Sequence, residues 1–131
     1  MSESNNAFTS GLLSGNDFAI QKGNLRMSWV YLFLAGLFEI GWPVGIKISQ
    51  AEETRWLGIA IALSFMALSG YFLWLAQQNI PIGTAYAIWT GIGGAGTFIV
   101  GVIFFGDALS LMRILGVSLI VIGVATLKFS S

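Results

Sequence analysis

The chain has 131 residues, six Lys+Arg against six Asp+Glu, no His and no Cys, and is 56% hydrophobic with only 9% charged. A soluble globular chain carries roughly 25% charged residues, so this one lacks the side chains to face water on all sides. Zero net charge without a basic patch disfavours nucleic-acid binding. The missing His and Cys remove the usual zinc ligand sets, disulfides, thiol nucleophiles and His-based dyads.

Residues 1–26 are rich in Ser, Asn and Gly, with isolated apolar positions. No basic segment precedes a continuous apolar run, so this is not a secretory signal. The expectation is a polar, disordered N-terminal tail over 1–26, or a segment upstream of a true start at Met27. A short amphipathic surface helix around Phe8–Ile20 is the alternative. A four-helix membrane domain is expected over 27–131.

The first predicted helix runs about Trp29–Ile46 and the second about Leu57–Ala76. The third covers about Thr84–Phe105 and the fourth about Leu109–Phe129. Positions 56–106 carry no Asp, Glu, Lys or Arg. A spanning helix needs roughly 20 apolar residues, so this interval holds two spans, divided at Gln77-Gln78-Asn79-Ile80-Pro81. The fourth helix has a short uncharged stretch and needs Arg113 and Lys128 near its ends, snorkelling to the headgroups. Trp29, Tyr31 and Trp56 fall near helix starts, as interfacial aromatics do.

Lys22, Arg26 and Lys128 share one side of such a bundle, and Lys47, Arg55 and Arg113 the other. An even count gives no firm orientation by the positive-inside rule. Without residues 1–26 the count is one against three, a modest bias. A weak bias permits insertion both ways, and two opposed copies would supply the symmetry that other transporters take from inverted repeats.

Glu39 is the only acidic residue in a predicted span. An intramembrane carboxylate is costly and is by default a functional candidate; the structural alternative is a protonated Glu bridging helices by hydrogen bonds. Trp42 lies three residues on, on the same face. Ala35 and Gly36, one turn before, leave space beside it. The third helix offers Tyr86, Trp89, Thr90 and Gly93 at helical spacing, and the second offers Ser69. Tyr and Ser hydroxyls and the Trp N–H are donors that orient a carboxylate, and Trp faces attract cations. Withdrawal from water favours the protonated carboxyl, so such a group holds a proton or a cation in turn. Guanidinium matches a carboxylate through two parallel hydrogen bonds, but composition alone does not choose between it and a bulkier organic cation.

Small residues mark helix contacts in membranes. Gly83, Ala87, Gly91 and Ala95 form one stripe, and Gly93, Thr97 and Gly101 a second. Gly91, Gly93, Gly94 and Gly96 weaken helix propensity locally and are candidates for a hinge or for close packing. Gly116 and Gly123 line a face of the fourth helix suited to pairing between subunits. Pro43 removes a backbone hydrogen bond, and a kink beside Glu39 is expected.

The segments Phe38-Glu39, Trp42, Lys47-Ile48-Ser49 and Pro81-Ile82-Gly83-Thr84-Ala85-Tyr86-Ala87-Ile88-Trp89-Thr90-Gly91-Ile92-Gly93 resemble the small multidrug resistance family over residues 27–131. Trp89-Thr90-Gly91 with Trp42 is similar to the guanidinium-exporter subtype. The quaternary-ammonium subtype usually has Trp-Ser-Gly and a small residue in place of Trp42.

The resemblance implies an all-α protein of the bacterial cell inner membrane, with four transmembrane helices per chain and an antiparallel, dual-topology homodimer. It implies export of guanidinium or a related small organic cation coupled to protons, with no other cofactor. Glu39 would be the shared proton and substrate site, with Trp42, Ser69, Tyr86 and Trp89 as its pocket. The chain departs from the family in its N-terminal segment, its first loop Gln50–Arg55, and Asp107, where Glu is common. The alternatives are a polyspecific quaternary ammonium exporter and a non-transporting partner subunit of a hetero-oligomeric pair. An enzyme is disfavoured, since no base–nucleophile pair is visible.

Overall fold

The computed structural model describes residues 15–131, without the side chains of 16–18. Four helices account for most of it: α1 (Gly15–Ser49), α2 (Arg55–Ala76), α3 (Ile82–Phe104) and α4 (Leu111–Phe129). All four are long and apolar enough to cross a membrane, and no strand occurs among the described residues. For three of the four expected helices both ends fall within about two residues of those observed. α4 begins at Leu111 rather than Leu109 because the Ser110 side chain accepts the Arg113 N–H and caps the first turn.

The first boundary is a correction. α1 begins at Gly15, well before Trp29, so residues 15–26 are helical and not a disordered tail. Once a stable span exists, each further residue adds a hydrogen bond without a new nucleation cost. Ala19, Gln21, Lys22, Leu25 and Arg26 are good helix formers. Residues 1–14, and with them most of the alternative Phe8–Ile20 helix, lie outside the described residues. α1 passes through Pro43 without a break. At 35 residues it is about 50 Å long, against a hydrocarbon core of about 30 Å.

α1 is the centre of the bundle. It packs along α2 and, less extensively, along α3; α4 packs on α3. The α1–α2 seam is set by glycine. A Cβ on Gly45 would lie 2.6 Å from the Ala62 backbone nitrogen and 2.8 Å from the Gly58 carbonyl oxygen, and one on Gly58 would lie 2.5 Å from the Gly45 carbonyl oxygen. Only two glycines permit that approach. Aromatic contacts continue the seam, with Phe38 stacked on Phe72 at 5.5 Å and tilted against Phe65 at 6.0 Å. Leu32, Ala76, Ile80, Ala85 and Ile88 form a buried cluster at one end. There the Asn79 side-chain amide donates to Ser28 Oγ (2.8 Å), and Ser28 donates to the Asn24 carbonyl (3.0 Å).

The loops are short. The first contains a 3₁₀ turn, Glu52–Thr54, and the Thr54 hydroxyl donates to the Ile48 carbonyl at 2.7 Å. The last turns at Gly106, whose φ of 69° suits glycine. The Asp107 N–H then returns to the Gly101 carbonyl at 3.0 Å. Asp107 lies against Gly101 and shares a cavity of about 220 Å³ with Lys47 and Thr97.

Candidate functional site

Three helices converge on one buried hydroxyl. Ser69, in the middle of α2, is fully buried. Its Oγ lies 2.8 Å from the Ala35 carbonyl oxygen and 3.1 Å from Glu39 Oε2, both on α1. Trp89 of α3 donates its indole N–H to the same Oγ at 2.8 Å. One hydroxyl carries one proton and two lone pairs. Ser69 therefore donates either to the Ala35 carbonyl or to the Glu39 carboxylate at any moment, while Trp89 donates to it throughout. A protonated Glu39 can donate to Ser69, turning the hydroxyl towards Ala35. An ionised Glu39 can accept from it. The triad serves both protonation states of the carboxyl without moving a helix.

The close approach of α3 makes this possible. A Cβ on Gly93 would fall 2.5 Å from Glu39 Cγ, so any larger residue there would displace the carboxylate stem. Neighbouring glycines act likewise: a Cβ on Gly36 would meet Ile92 at 2.7 Å, Gly96 packs against Ile40, and Gly91 packs against Val124 of α4. Gly94 has open space around it. α3 is an unbroken helix through all four, so in this conformation Gly91, Gly93 and Gly96 are packing contacts. The Gly83 end of the expected stripe is open, with nothing near Gly83 and Ala87 exposed.

Glu39 itself is half-buried. The Tyr86 ring meets Trp89 edge-on at 5.3 Å and is 56% exposed, facing away from the packed interior. Trp42 lies one turn along α1 from Glu39, half-buried and outside the hydrogen-bonded triad. Glu39, Ser69 and Trp89 are thus brought together directly, and Tyr86 through Trp89. Thr90 is a correction. Its hydroxyl donates back to the Tyr86 and Ala87 carbonyls of its own helix, and the side chain lines a groove with Ile120 and Gly123 of α4. One residue turns a helix by about 100°, so Thr90 leaves the Trp89 face. A Cβ added to Gly116 or Gly123 would meet nothing within 4 Å, and no residue of α4 is buried. The Ala35 carbonyl is the one member that sequence reading misses. Backbone acceptors carry no residue signal, although the small side chain of Ala35 was visible.

A family model for the Small Multidrug Resistance protein matches residues 27–120. The chain belongs to the small multidrug resistance family. A protein named guanidinium exporter from Proteus vulgaris is 47% identical over 105 residues, which cover 80% of this chain and all of that protein. One of the same name from Yersinia pseudotuberculosis is 44% identical with the same coverage. Another, from Escherichia coli strain K12, is 40% identical over 80% of this chain and 99% of that protein. With four spanning helices, this family member is a multi-pass protein of the bacterial inner membrane. The matched segment contains Glu39, Trp42, Ser69, Tyr86 and Trp89, whereas Lys22 and Arg26 precede it.

Proposed function

We propose that this chain exports guanidinium in exchange for protons, with the two competing for Glu39. The observation that carries the reading is the Ser69-centred triad, in which one hydroxyl accepts from Trp89 and serves Glu39 in either protonation state. The names of the relatives from Proteus, Yersinia and Escherichia support the choice of cation. A planar guanidinium pairs with a carboxylate through two N–H groups, and the Tyr86 and Trp42 rings are the proposed walls of its pocket. Protonation removes the negative charge that holds the cation, so binding of one ligand releases the other. That exclusion is the coupling; access alternates as the site opens to one side and then the other.

The acting unit in this proposal is an antiparallel homodimer with one Glu39 from each subunit. The even division of Lys and Arg between the two ends allows both orientations, and the uncovered α4 with Gly116 and Gly123 supplies a face for the second copy. The proton is the only coupling ion needed. Gly94, with open space around it, and the glycines beside it are the proposed hinge.

The test is guanidinium-driven proton movement in vesicles holding the purified chain alone. Wild type is expected to transport, with weaker guanidinium affinity as pH falls. Glu39→Gln is expected to lower transport at least 100-fold. Full activity of that variant would remove the mechanism. Failure of the single purified chain, rescued by a second and different subunit, would remove the homodimer.

A further inference from the structure

The N-terminal end of the bundle gathers positive charge that takes no part in the Ser69-centred hydrogen bonds. Lys22, Arg26, Trp29 and Phe33 follow one another at helical spacing on one face of α1. Lys128, in the last turn of α4, sits over the Trp29 ring at 4.2 Å. Lys22, Arg26 and Lys128 together line a cavity of about 610 Å³, walled by Leu25, Val30 and Phe33; Ser131, the last residue of the sequence, also lines it, and no Asp or Glu among the described side chains does. Three cations facing one space repel one another, and a single carboxylate at Ser131 would offset at most one of them, so the cavity keeps an excess of positive charge.

The cavity continues into apolar ground. A second groove of about 320 Å³ shares Trp29, Phe33 and Lys128 with the first and runs between α1, α3 and α4 past Ile88, Ile92 and Val121. A cationic chamber opening onto an apolar groove fits an amphiphile with an anionic head. A soluble anion would leave the groove empty, and a neutral lipid would leave the excess positive charge unanswered. The level is right as well: α1 outruns the hydrocarbon core, which places Lys22 and Arg26 in the headgroup layer, and Trp29 is an interfacial residue.

We propose that this end of the protein binds one anionic phospholipid. Its phosphate lies against Lys22, Arg26 and Lys128, and one acyl chain follows Trp29 and Phe33 into the α1–α3–α4 groove. Lys22 and Arg26 precede the family match, which begins at Met27, and the relative from Proteus is spanned entirely by 105 residues. Two of the three cations are therefore contributed by the helical extension. The site does not depend on Glu39 or on what is transported.

Native mass spectrometry of the detergent-purified full chain tests it, with phosphatidylglycerol and phosphatidylcholine of matched acyl chains supplied in equal amounts. Wild type is expected to retain the anionic lipid about tenfold better. Lys22→Gln/Arg26→Gln is expected to bring the ratio near one. Lys22→Arg/Arg26→Lys is expected to keep it, which separates charge from helix loss. Millimolar inorganic phosphate is expected to leave the bound lipid in place.

Equal retention of the two lipids by wild type would overturn the proposal. So would an unchanged preference in the Gln variant or displacement by inorganic phosphate. Cross-linking of two copies through Leu25→Cys, undiminished by phosphatidylglycerol, would put a second copy in the groove and overturn it too.

Discussion

α1 buries Ser28, Leu32 and Ala35 against its neighbours, whereas α4, also apolar, buries nothing. Both are long enough to span a membrane, and hydropathy does not separate them. What separates them is where the small residues meet something. Gly45 and Gly58 meet each other's backbones, and Gly93 meets Glu39; Gly116 and Gly123 meet nothing within the protomer. In lipid there is no hydrophobic drive between helices, so close contact and hydrogen bonding decide which faces join. The helices that meet at Ser69 are packed together within one chain, while α4 presents a face that the chain does not use.

That contrast can be broken most strongly at the α1–α2 seam. Gly45→Val would press against the Gly58 carbonyl and the Ala62 backbone. Overpacking of this kind costs about 1–3 kcal/mol, and thermal unfolding in detergent is expected to show a clear loss. Gly123→Val, placed in open space, is expected to leave the protomer's helix content and unfolding unchanged while lowering the dimer fraction in size-exclusion or cross-linking measurements. Equal destabilisation by both variants would erase the distinction between the helices.

A smaller effect is expected inside the trio. Trp89→Phe keeps a ring on α3 but removes the indole donor to Ser69. The net worth of such a hydrogen bond is about 0.5–1.5 kcal/mol, which corresponds to guanidinium binding about two- to tenfold weaker by titration calorimetry. Unchanged binding would detach Trp89 from the carboxylate. The smallest expected effect lies at the buried end of the bundle. Ser28→Ala removes the acceptor of the Asn79 amide and the donor to the Asn24 carbonyl. A loss of up to about 1 kcal/mol is expected, read as a small drop in the unfolding midpoint with transport intact.

Much of this architecture was legible in the residues. The charge-free interval at positions 56–106 located two spans and their turn, because burying charge in lipid is costly whatever the fold. Glu39 stood out for the same reason. Helical spacing placed Trp42 on its face and Trp89 on the face of Gly93. Spacing failed at Thr90, since adjacent residues on a helix point about 100° apart and only the packed neighbour tells which of two edges a residue joins. It failed again before Met27, where polar composition hid a helix that extends from a stable span.

Sequence by itself determined the number of spans, the lone intramembrane carboxylate and the even division of cations between the two ends. Those follow from transfer energies, which are properties of residue types. Only the tertiary structure decided that Ser69 lies within reach of Glu39, Ala35 and Trp89 at once, that Gly93 makes room for the carboxylate stem, and that Lys22, Arg26 and Lys128 face one cavity. Each of those depends on how three or four helices are rotated and drawn together, and in lipid that is set by contacts between specific small and polar groups rather than by hydrophobicity.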